Sequence, residues 1–175
     1  MEFNWILAQV IGLIGTACML LSFQIKRNSG YFLLQFLYNV LYVIHYALLG
    51  ALSGSLTIFL SLIRNTLLLL GEHKWARWKG WIVLLVGASL YSVVVSWVDI
   101  FSILPAVAMI TMTIINWTRN GKLIRLFNLT VGSPAWLIYD IHCVSVSGII
   151  AEALSMISVL ISIRRFGLSE LDKTE

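Results

Sequence analysis

The chain alternates long hydrophobic runs with short polar breaks. We number seven hydrophobic segments in chain order, at about residues 5–24, 31–49, 54–71, 80–98, 100–117, 123–143 and 145–163. A helix of about 20 residues spans the hydrocarbon layer of a bilayer, and a backbone within lipid must satisfy its own hydrogen bonds. The pattern therefore predicts an all-α membrane protein with seven transmembrane helices.

The division between segments 4 and 5 depends on a very short break. It consists of Trp97-Val98-Asp99, and without it residues 80–117 would read as one overlong run. The other breaks are clearer, because they contain polar turns such as Asn28-Ser29-Gly30 and Asn120-Gly121-Lys122.

The composition leaves little material for a solvated surface. Of the 175 residues, 59% are hydrophobic and 11% are charged, and the mean hydropathy is +0.91. Soluble domains carry about a quarter charged residues. Seven helices use most of the chain, so we expect any function within the helix bundle or at its rims.

Basic residues indicate the orientation. Segments 1, 3, 5 and 7 are followed by eleven of the twelve: Lys26, Arg27, Lys74, Arg77, Lys79, Arg119, Lys122, Arg125, Arg164, Arg165 and Lys173. The breaks after segments 2, 4 and 6 contain none. Because short cytoplasmic loops are enriched in lysine and arginine, the sequence predicts an amino terminus outside and a carboxyl terminus in the cytoplasm.

The segments before and after segment 4 are similar in sequence. Residues 24–28 align with 116–120 at an offset of 92, and residues 42–54 align with 136–148 at an offset of 94. One unmatched segment returns the chain to its starting side, so the two triplets form a parallel repeat about an axis along the membrane normal. The predicted divisions are a first repeat (1–72), a linker helix (73–98), a second repeat (99–165) and a cytoplasmic tail (166–175).

Several stretches resemble a known family. They are Trp5-Ile6-Leu7-Ala8-Gln9 with Gly12, residues 55–64, residues 136–152 and Ile163-Arg164-Arg165. They are similar to the YgjV-type bacterial inner membrane proteins over nearly the whole chain. This resemblance implies a multi-pass protein of the bacterial inner (plasma) membrane.

The arrangement of three, one and three helices is similar to that of the SWEET sugar transporters and the wider PQ-loop group. That resemblance implies a small-molecule cavity between the triplets, with prolines as hinges in both repeats. Pro105 and Pro134 supply the second repeat's pair, but Leu13 and Val40 stand at the aligned positions of the first, and the Pro-Gln dipeptide is absent. Sugar transport does not follow, since a shared fold does not imply a shared function.

Two ionisable residues within the segments are candidates for a functional site. Arg64, followed by Asn65, lies in segment 3, and Glu152 lies in segment 7. Each costs about 3 kcal/mol or more in lipid. Arg64 either extends to the cytoplasmic interface or stays inside as a fixed cation. The two residues, separated in depth by about one helical turn, either form a structural ion pair or line a water-filled cavity in which Glu152 serves gating or proton coupling.

Other polar residues are weaker candidates. Asn39 and its aligned partner Ser133 lie near the bilayer middle, as substrate ligands or as interhelical hydrogen-bonding groups. His45, Asp140 and His142 are predicted at the outer rim, as solvated residues or as a pH-sensitive gate. Asn116 falls at the cytoplasmic edge, where helix capping would explain it.

Two functions are compatible with this pattern. The first is a small-molecule carrier of unknown substrate, in which Arg64, Asn65 and Glu152 contact water. The second is a non-transporting adaptor or assembly protein with a dry interior and a closed Arg64–Glu152 pair. The sequence has no nucleotide-binding loop, zinc motif or activated nucleophile, so we expect no enzymatic activity, cofactor or metal. The expected partners are membrane lipids, an unknown small molecule and, as an option, a second copy of the chain in a homo-oligomer, but no nucleic acid.

Overall fold

A computed structural model describes residues 2–171, with side chains from Asn4 onward, and this part of the chain is helical without strands. The helices are α1 (Glu2–Phe23), α2 (Asn28–Leu48), α3 (Leu52–Leu69), α4 (Gly80–Val95), α5 (Ile103–Trp117), α6 (Gly121–Phe127), α7 (Ser133–His142), α8 (Val146–Phe166) and α9 (Leu168–Leu171). A 3₁₀ turn over Ile100–Ser102 precedes α5, and a π-helical turn over Asn128–Gly132 joins α6 to α7.

Each predicted hydrophobic segment is helical at the expected place. Within the described residues, five helices are long and apolar enough to cross a membrane by length and composition, namely α1, α2, α3, α8 and the stretch formed by the 3₁₀ turn and α5. Segment 4 is the shorter apolar helix α4, and segment 6 is divided into α6, the π-helical turn and α7. Seven crossings and their orientation stay predictions. Of the predicted tail, residues 172–175 lie outside the described part.

The short break between segments 4 and 5 is a capped turn. α4 ends at Val95, and the Asp99 side chain accepts a hydrogen bond of 2.9 Å from the Phe101 amide. The Ser102 hydroxyl accepts in return from the Asp99 amide at 3.4 Å. This reciprocal capping box satisfies amides that begin the next helix. A polar pair therefore ends a run that hydropathy alone would leave continuous.

Segment 6 changes its helical geometry just before a proline. The π-helical turn ends at Gly132, and Pro134 lies in the first turn of α7. Proline has no amide hydrogen to donate to the preceding turn, and a local π turn is one way in which a helix continues through such a site. Pro105 lies in the first turn of α5, where the missing amide costs little. The hinge role of both prolines stays a prediction.

The two triplets form a ring. α1 contacts α2, α2 contacts α3, α3 contacts α5, α5 contacts α6 and α7, these contact α8, and α8 contacts α1. α4 packs outside the ring against α3 and α5. The ring places one face of each of these helices in an interior away from lipid.

The turn after α2 and the turn after α7 have the same backbone conformation. In both, the second residue beyond the helix has a positive φ, 71° at Gly50 and 55° at Val144. In both, the following amide donates to the carbonyl five residues back, at 3.0 and 2.9 Å. These bonds define a Schellman-type helix end. The two turns are 94 residues apart, which is the offset of the sequence alignment.

Reciprocal side-chain contacts join the two triplets beside these turns. Tyr139 of α7 hydrogen-bonds Ser53 of α3 at 2.8 Å. At the positions aligned with these, His45 of α2 contacts Ser147 of α8 at 3.5 Å. Both turns therefore lie at the same end of the bundle, which we name the outer end after the predicted orientation.

Two of the residues predicted at a solvated outer rim are buried instead. His45 is 0% and Asp140 is 1% exposed, so the interpretation that they are solvated is wrong for both, while a pH-sensitive gate stays a prediction. The Tyr46 hydroxyl donates to the Asp140 carboxylate at 2.6 Å, which satisfies a charged group inside the bundle. His142 is exposed, as expected, and pairs with Asp99 at 2.6 Å.

The opposite end of the bundle, which we name the inner end, is joined by basic side chains. The Arg119 guanidinium of the α5–α6 turn donates to the Leu68 carbonyl of α3 at 2.6 Å. Asn28 at the start of α2 donates to the Arg119 carbonyl at 2.9 Å. Lys26 pairs with Glu170 of α9 at 3.0 Å. Loops that follow segments 1, 3, 5 and 7 thus meet at one end.

Cysteine labelling tests the orientation. In a variant without Cys18 and Cys143, Val98→Cys should react with a membrane-impermeant maleimide in intact spheroplasts, because the break after α4 is predicted outside. Lys74→Cys should react only after permeabilisation. Both positions lie in exposed loops, so access alone distinguishes them. Labelling of Lys74→Cys in intact spheroplasts would contradict the topology.

The Tyr46–Asp140 hydrogen bond should stabilise the outer end. Tyr46→Phe removes the 2.6 Å hydrogen bond to a buried carboxylate, and we expect the free energy of unfolding in mixed micelles to fall by about 1–3 kcal/mol. Tyr91→Phe is the matched control, because Tyr91 is 70% exposed on α4. Equal stability of the two variants would show that the bond contributes nothing.

Candidate functional site

A buried cavity of about 50 Å³ lies inside the ring. Every helix of the ring except α6 contributes lining residues, and the π-helical turn contributes as well. The charged lining residues are Arg64 of α3 and Glu152 of α8, one from each triplet. The polar lining also includes Gln35, Asn39, Ser61, Asn116 and Asn128. A polar cavity of this size holds a few water molecules.

Arg64 is inside the bundle and does not reach the inner interface. Its side chain is 6% exposed, so the interpretation that it extends to cytoplasmic water is wrong. Its guanidinium donates to the Asn65 amide oxygen at 3.3 Å and contacts the Met109 sulfur at 3.5 Å. No described carboxylate lies within 4 Å of it. Arginine keeps its proton in proteins, so this is a buried cation without a counter-ion.

Glu152 faces the same cavity but does not pair with Arg64. It is 5% exposed, and the buried Ser133 lies beside its carboxyl group. The structure therefore brings the two residues to one cavity without pairing them. Their separation in depth by about one helical turn stays a prediction.

Two tyrosines of α2 lie beside these charges. Tyr38 is within electrostatic range of both Arg64 and Glu152, and Tyr31 is within range of Arg64. Both rings line the cavity. Among the described residues, neither hydroxyl has a hydrogen-bond partner. They are therefore available to water or to a solute in the cavity.

Two asparagines leave buried polar atoms unpaired at the cavity. Asn39 and Asn116 are each 1% exposed. The side-chain nitrogen of Asn39 and the side-chain oxygen of Asn116 have no partner within the described chain. The capping interpretation of Asn116 is wrong, because this side chain lines the cavity. An unpaired donor and an unpaired acceptor at one cavity are typical of a site that holds water or ligand.

Ser133 is fixed by a small hydrogen-bond network behind Glu152. Asn128, in the π-helical turn, donates to Ser133 at 3.1 Å and to Ser155 at 3.2 Å. Ser133 also donates to Ser155 at 3.2 Å. Ser133 is fully buried and lies beside Glu152. This arrangement connects the geometry of the π turn to the cavity.

Arg125 is a buried residue that the sequence pattern assigned to a cytoplasmic loop. It is 2% exposed and donates to Ser162 at 2.6 Å, to the Gly121 carbonyl at 3.2 Å, and to the Phe23 and Ile25 carbonyls at 2.9 and 3.1 Å. These bonds fasten α6 to the end of α1 and to α8. Arg125 is thus fully bonded, in contrast to Arg64.

Helix α2 carries a periodic stripe of polar side chains that was not identified from the sequence. Its interior face carries hydrogen-bonding side chains at spacings of three and four: Asn28, Tyr31, Gln35, Tyr38, Tyr42 and His45. Such spacing places residues on one face of a helix. Hydropathy hides the stripe, because tyrosines are counted with apolar residues. The period indicates that α2 turns a polar face inward.

Comparison with known proteins identifies the family of the chain. The sequence pattern of the Imp-YgjV family, described as bacterial inner membrane protein, matches residues 6–170. No curated protein and no solved structure is significantly similar to the chain. The matched range covers nearly all of the described helices, and the several apolar helices agree with a multi-pass protein of the inner membrane. The chain belongs to the Imp-YgjV family of bacterial inner membrane proteins.

Proposed function

We propose that the protein is a small-molecule carrier whose substrate site is the cavity between the two triplets. The observation that carries the proposal is that Arg64 and Glu152 face one cavity, both buried and neither paired with the other. Charged groups in a membrane interior are costly. Groups with a purely structural role would be expected to pair, because a buried pair loses far less than an isolated charge. Interaction with a transported solute explains why the two are separate.

The arrangement of the helices supports the proposal. The equivalent outer turns and the reciprocal Tyr139–Ser53 and His45–Ser147 contacts fit a parallel repeat of three helices. In carriers built from repeats, the substrate site lies between the repeats, and access alternates as one moves against the other. Such movement would break contacts between triplets at one end while those at the other end hold.

Contacts between the triplets are present at both ends of the bundle. The outer end has the Tyr46–Asp140 hydrogen bond, and the inner end has Arg125 bonded to the Phe23 carbonyl. The cavity of about 50 Å³ is well below the roughly 300 Å³ of clefts that hold drug-sized ligands. Its size fits a carrier for a small solute.

The rival function, a non-transporting adaptor, predicts a dry interior with a closed Arg64–Glu152 pair. The described structure lacks that pair and leaves Asn39 and Asn116 unpaired at the cavity. These two observations favour the carrier. The adaptor makes a different prediction for solvent access, which an experiment can measure.

Water access to the cavity separates the two functions. In a variant without Cys18 and Cys143, we expect Ser61→Cys to react with a small, water-soluble methanethiosulfonate. Ser61 is 6% exposed and lines the cavity. Ser89→Cys is the matched control, because Ser89 is 0% exposed on α4 outside the ring and its hydroxyl bonds the Leu85 carbonyl. A carrier opens its site during the cycle, so Ser61→Cys should react at least about tenfold faster than Ser89→Cys. Equal protection of both would reject the water-accessible cavity and favour the adaptor.

The two buried arginines should differ in their contribution to stability. Arg125→Leu removes a cation with four hydrogen bonds, and we expect it to lower the free energy of unfolding by about 3 kcal/mol or more. Arg64→Leu removes a costly unpaired cation, so stability should stay within about 1 kcal/mol of the wild type or rise. Unfolding in mixed micelles measures both variants. If Arg64→Leu were as destabilising as Arg125→Leu, Arg64 would have a structural role.

A further inference from the structure

We propose that the cavity accepts a small zwitterion of the size of glycine or alanine, with its carboxylate at Arg64 and its ammonium at Glu152. This inference rests on the carrier function and names the class of solute. It follows from the presence of one cationic and one acidic side chain in the same cavity without a direct contact between them.

Charge pairing distinguishes four classes of small solute. A monocarboxylate pairs with Arg64 but leaves an ionised Glu152 without a cation, and a monoammonium ion pairs with Glu152 but leaves Arg64 without an anion. A neutral polyol pairs with neither. Only a solute that carries both charges supplies a partner to each group, and unpaired buried charges are strongly unfavourable.

The volume of the cavity limits the solute to a small molecule. The volume of about 50 Å³ leaves no room for a large side chain.

The remaining lining also suits an α-amino acid. The Tyr38 hydroxyl lies within electrostatic range of both charges. Asn39 offers an unpaired side-chain nitrogen as a donor, and Asn116 offers an unpaired oxygen as an acceptor. Ala108 and Met112 add an apolar wall against which a hydrogen atom or a methyl group can pack. Pockets of this kind combine apolar walls with a few polar groups that orient the ligand.

Competition binding to the purified wild-type protein in nanodiscs tests the charge requirement. Labelled glycine is displaced by unlabelled glycine, acetate, methylammonium or acetamide, which have similar sizes and differ in charge. We expect acetate and methylammonium to compete at least about tenfold more weakly than glycine, and acetamide more weakly still, because each lacks one or both charged contacts. This pattern needs no variant, so a folding defect cannot produce it.

Variants then assign each charge to its residue. Glu152→Gln should weaken glycine binding about tenfold or more. The affinity for acetate, measured by competition with the residual glycine binding, should stay within about twofold of the wild-type value. Arg64→Gln should weaken both, and Arg64→Lys should restore part of the affinity. Glu72→Gln and Arg77→Gln are controls with the same chemical changes at exposed positions of the α3–α4 loop. They should bind glycine as the wild type does.

Flux in proteoliposomes separates failure of this inference from failure of the carrier function. Counterflow of labelled glycine that is lost in Glu152→Gln supports both. Arg64-dependent flux of a labelled monocarboxylate or polyol, without glycine flux, would overturn the zwitterion and keep the carrier. Flux of no solute class, together with protection of Ser61→Cys, would overturn both.

Discussion

The core of a bilayer offers no water to polar groups, and this constraint determines how the inside of the bundle is built. Most buried polar side chains find partners across helix interfaces, such as Tyr46 with Asp140 at the outer end and Arg125 with carbonyls of α1 at the inner end. Between the two ends, Arg64 and Glu152 line the cavity without pairing. An ion pair between them would have lowered the cost of burying two charges. The contrast between bonded ends and an unbonded middle is the main support for the proposed site.

Hydropathy predicts the helices well, because helix length in a membrane is fixed by the thickness of the lipid. It predicts the outer turns poorly. Gly50 is a residue expected where φ is positive, but Val144 adopts the same conformation at 55° against the usual preference of a β-branched residue. Local backbone hydrogen bonds hold that turn, among them the one from the Ser145 amide to the Asp140 carbonyl at 2.9 Å. The π-helical turn in segment 6 also has no periodic signal, although Pro134 marks its neighbourhood.

The lining of the cavity is only partly predictable from the sequence, because hydropathy marks charged residues but not which side chains meet. Arg64 and Glu152 are conspicuous because charges are rare in hydrophobic segments, and the structure places both at one cavity. The charge pattern counts Arg125 with the cytoplasmic cations, although predicted segment 6 (123–143) already includes it. Asn120 accepts hydrogen bonds from the Lys122 and Leu123 amides and so caps α6. An asparagine before a hydrophobic run is a helix-start signal, and it supports the position of Arg125 inside a helix.

The predicted repeat relates two halves of the bundle, but the charges that line the cavity are not related by it. The residue aligned with Arg64 is Ser158, and the residue aligned with Glu152 is Ile58. In one half Gln24 donates to the Ser158 hydroxyl at 2.8 Å and closes the interface of α1 and α8. The aligned pair in the other half, Asn116 and Arg64, makes no such bond, and the Asn116 side-chain oxygen stays unpaired at the cavity. The polar residues between α1 and α8 therefore bond each other, whereas the equivalent residues between α3 and α5 do not and can bond water or a solute in the cavity. In the proposed carrier, a cation on one side of the cavity and an acid on the other would orient a bound solute in one direction, which a symmetric pair of repeats could not impose.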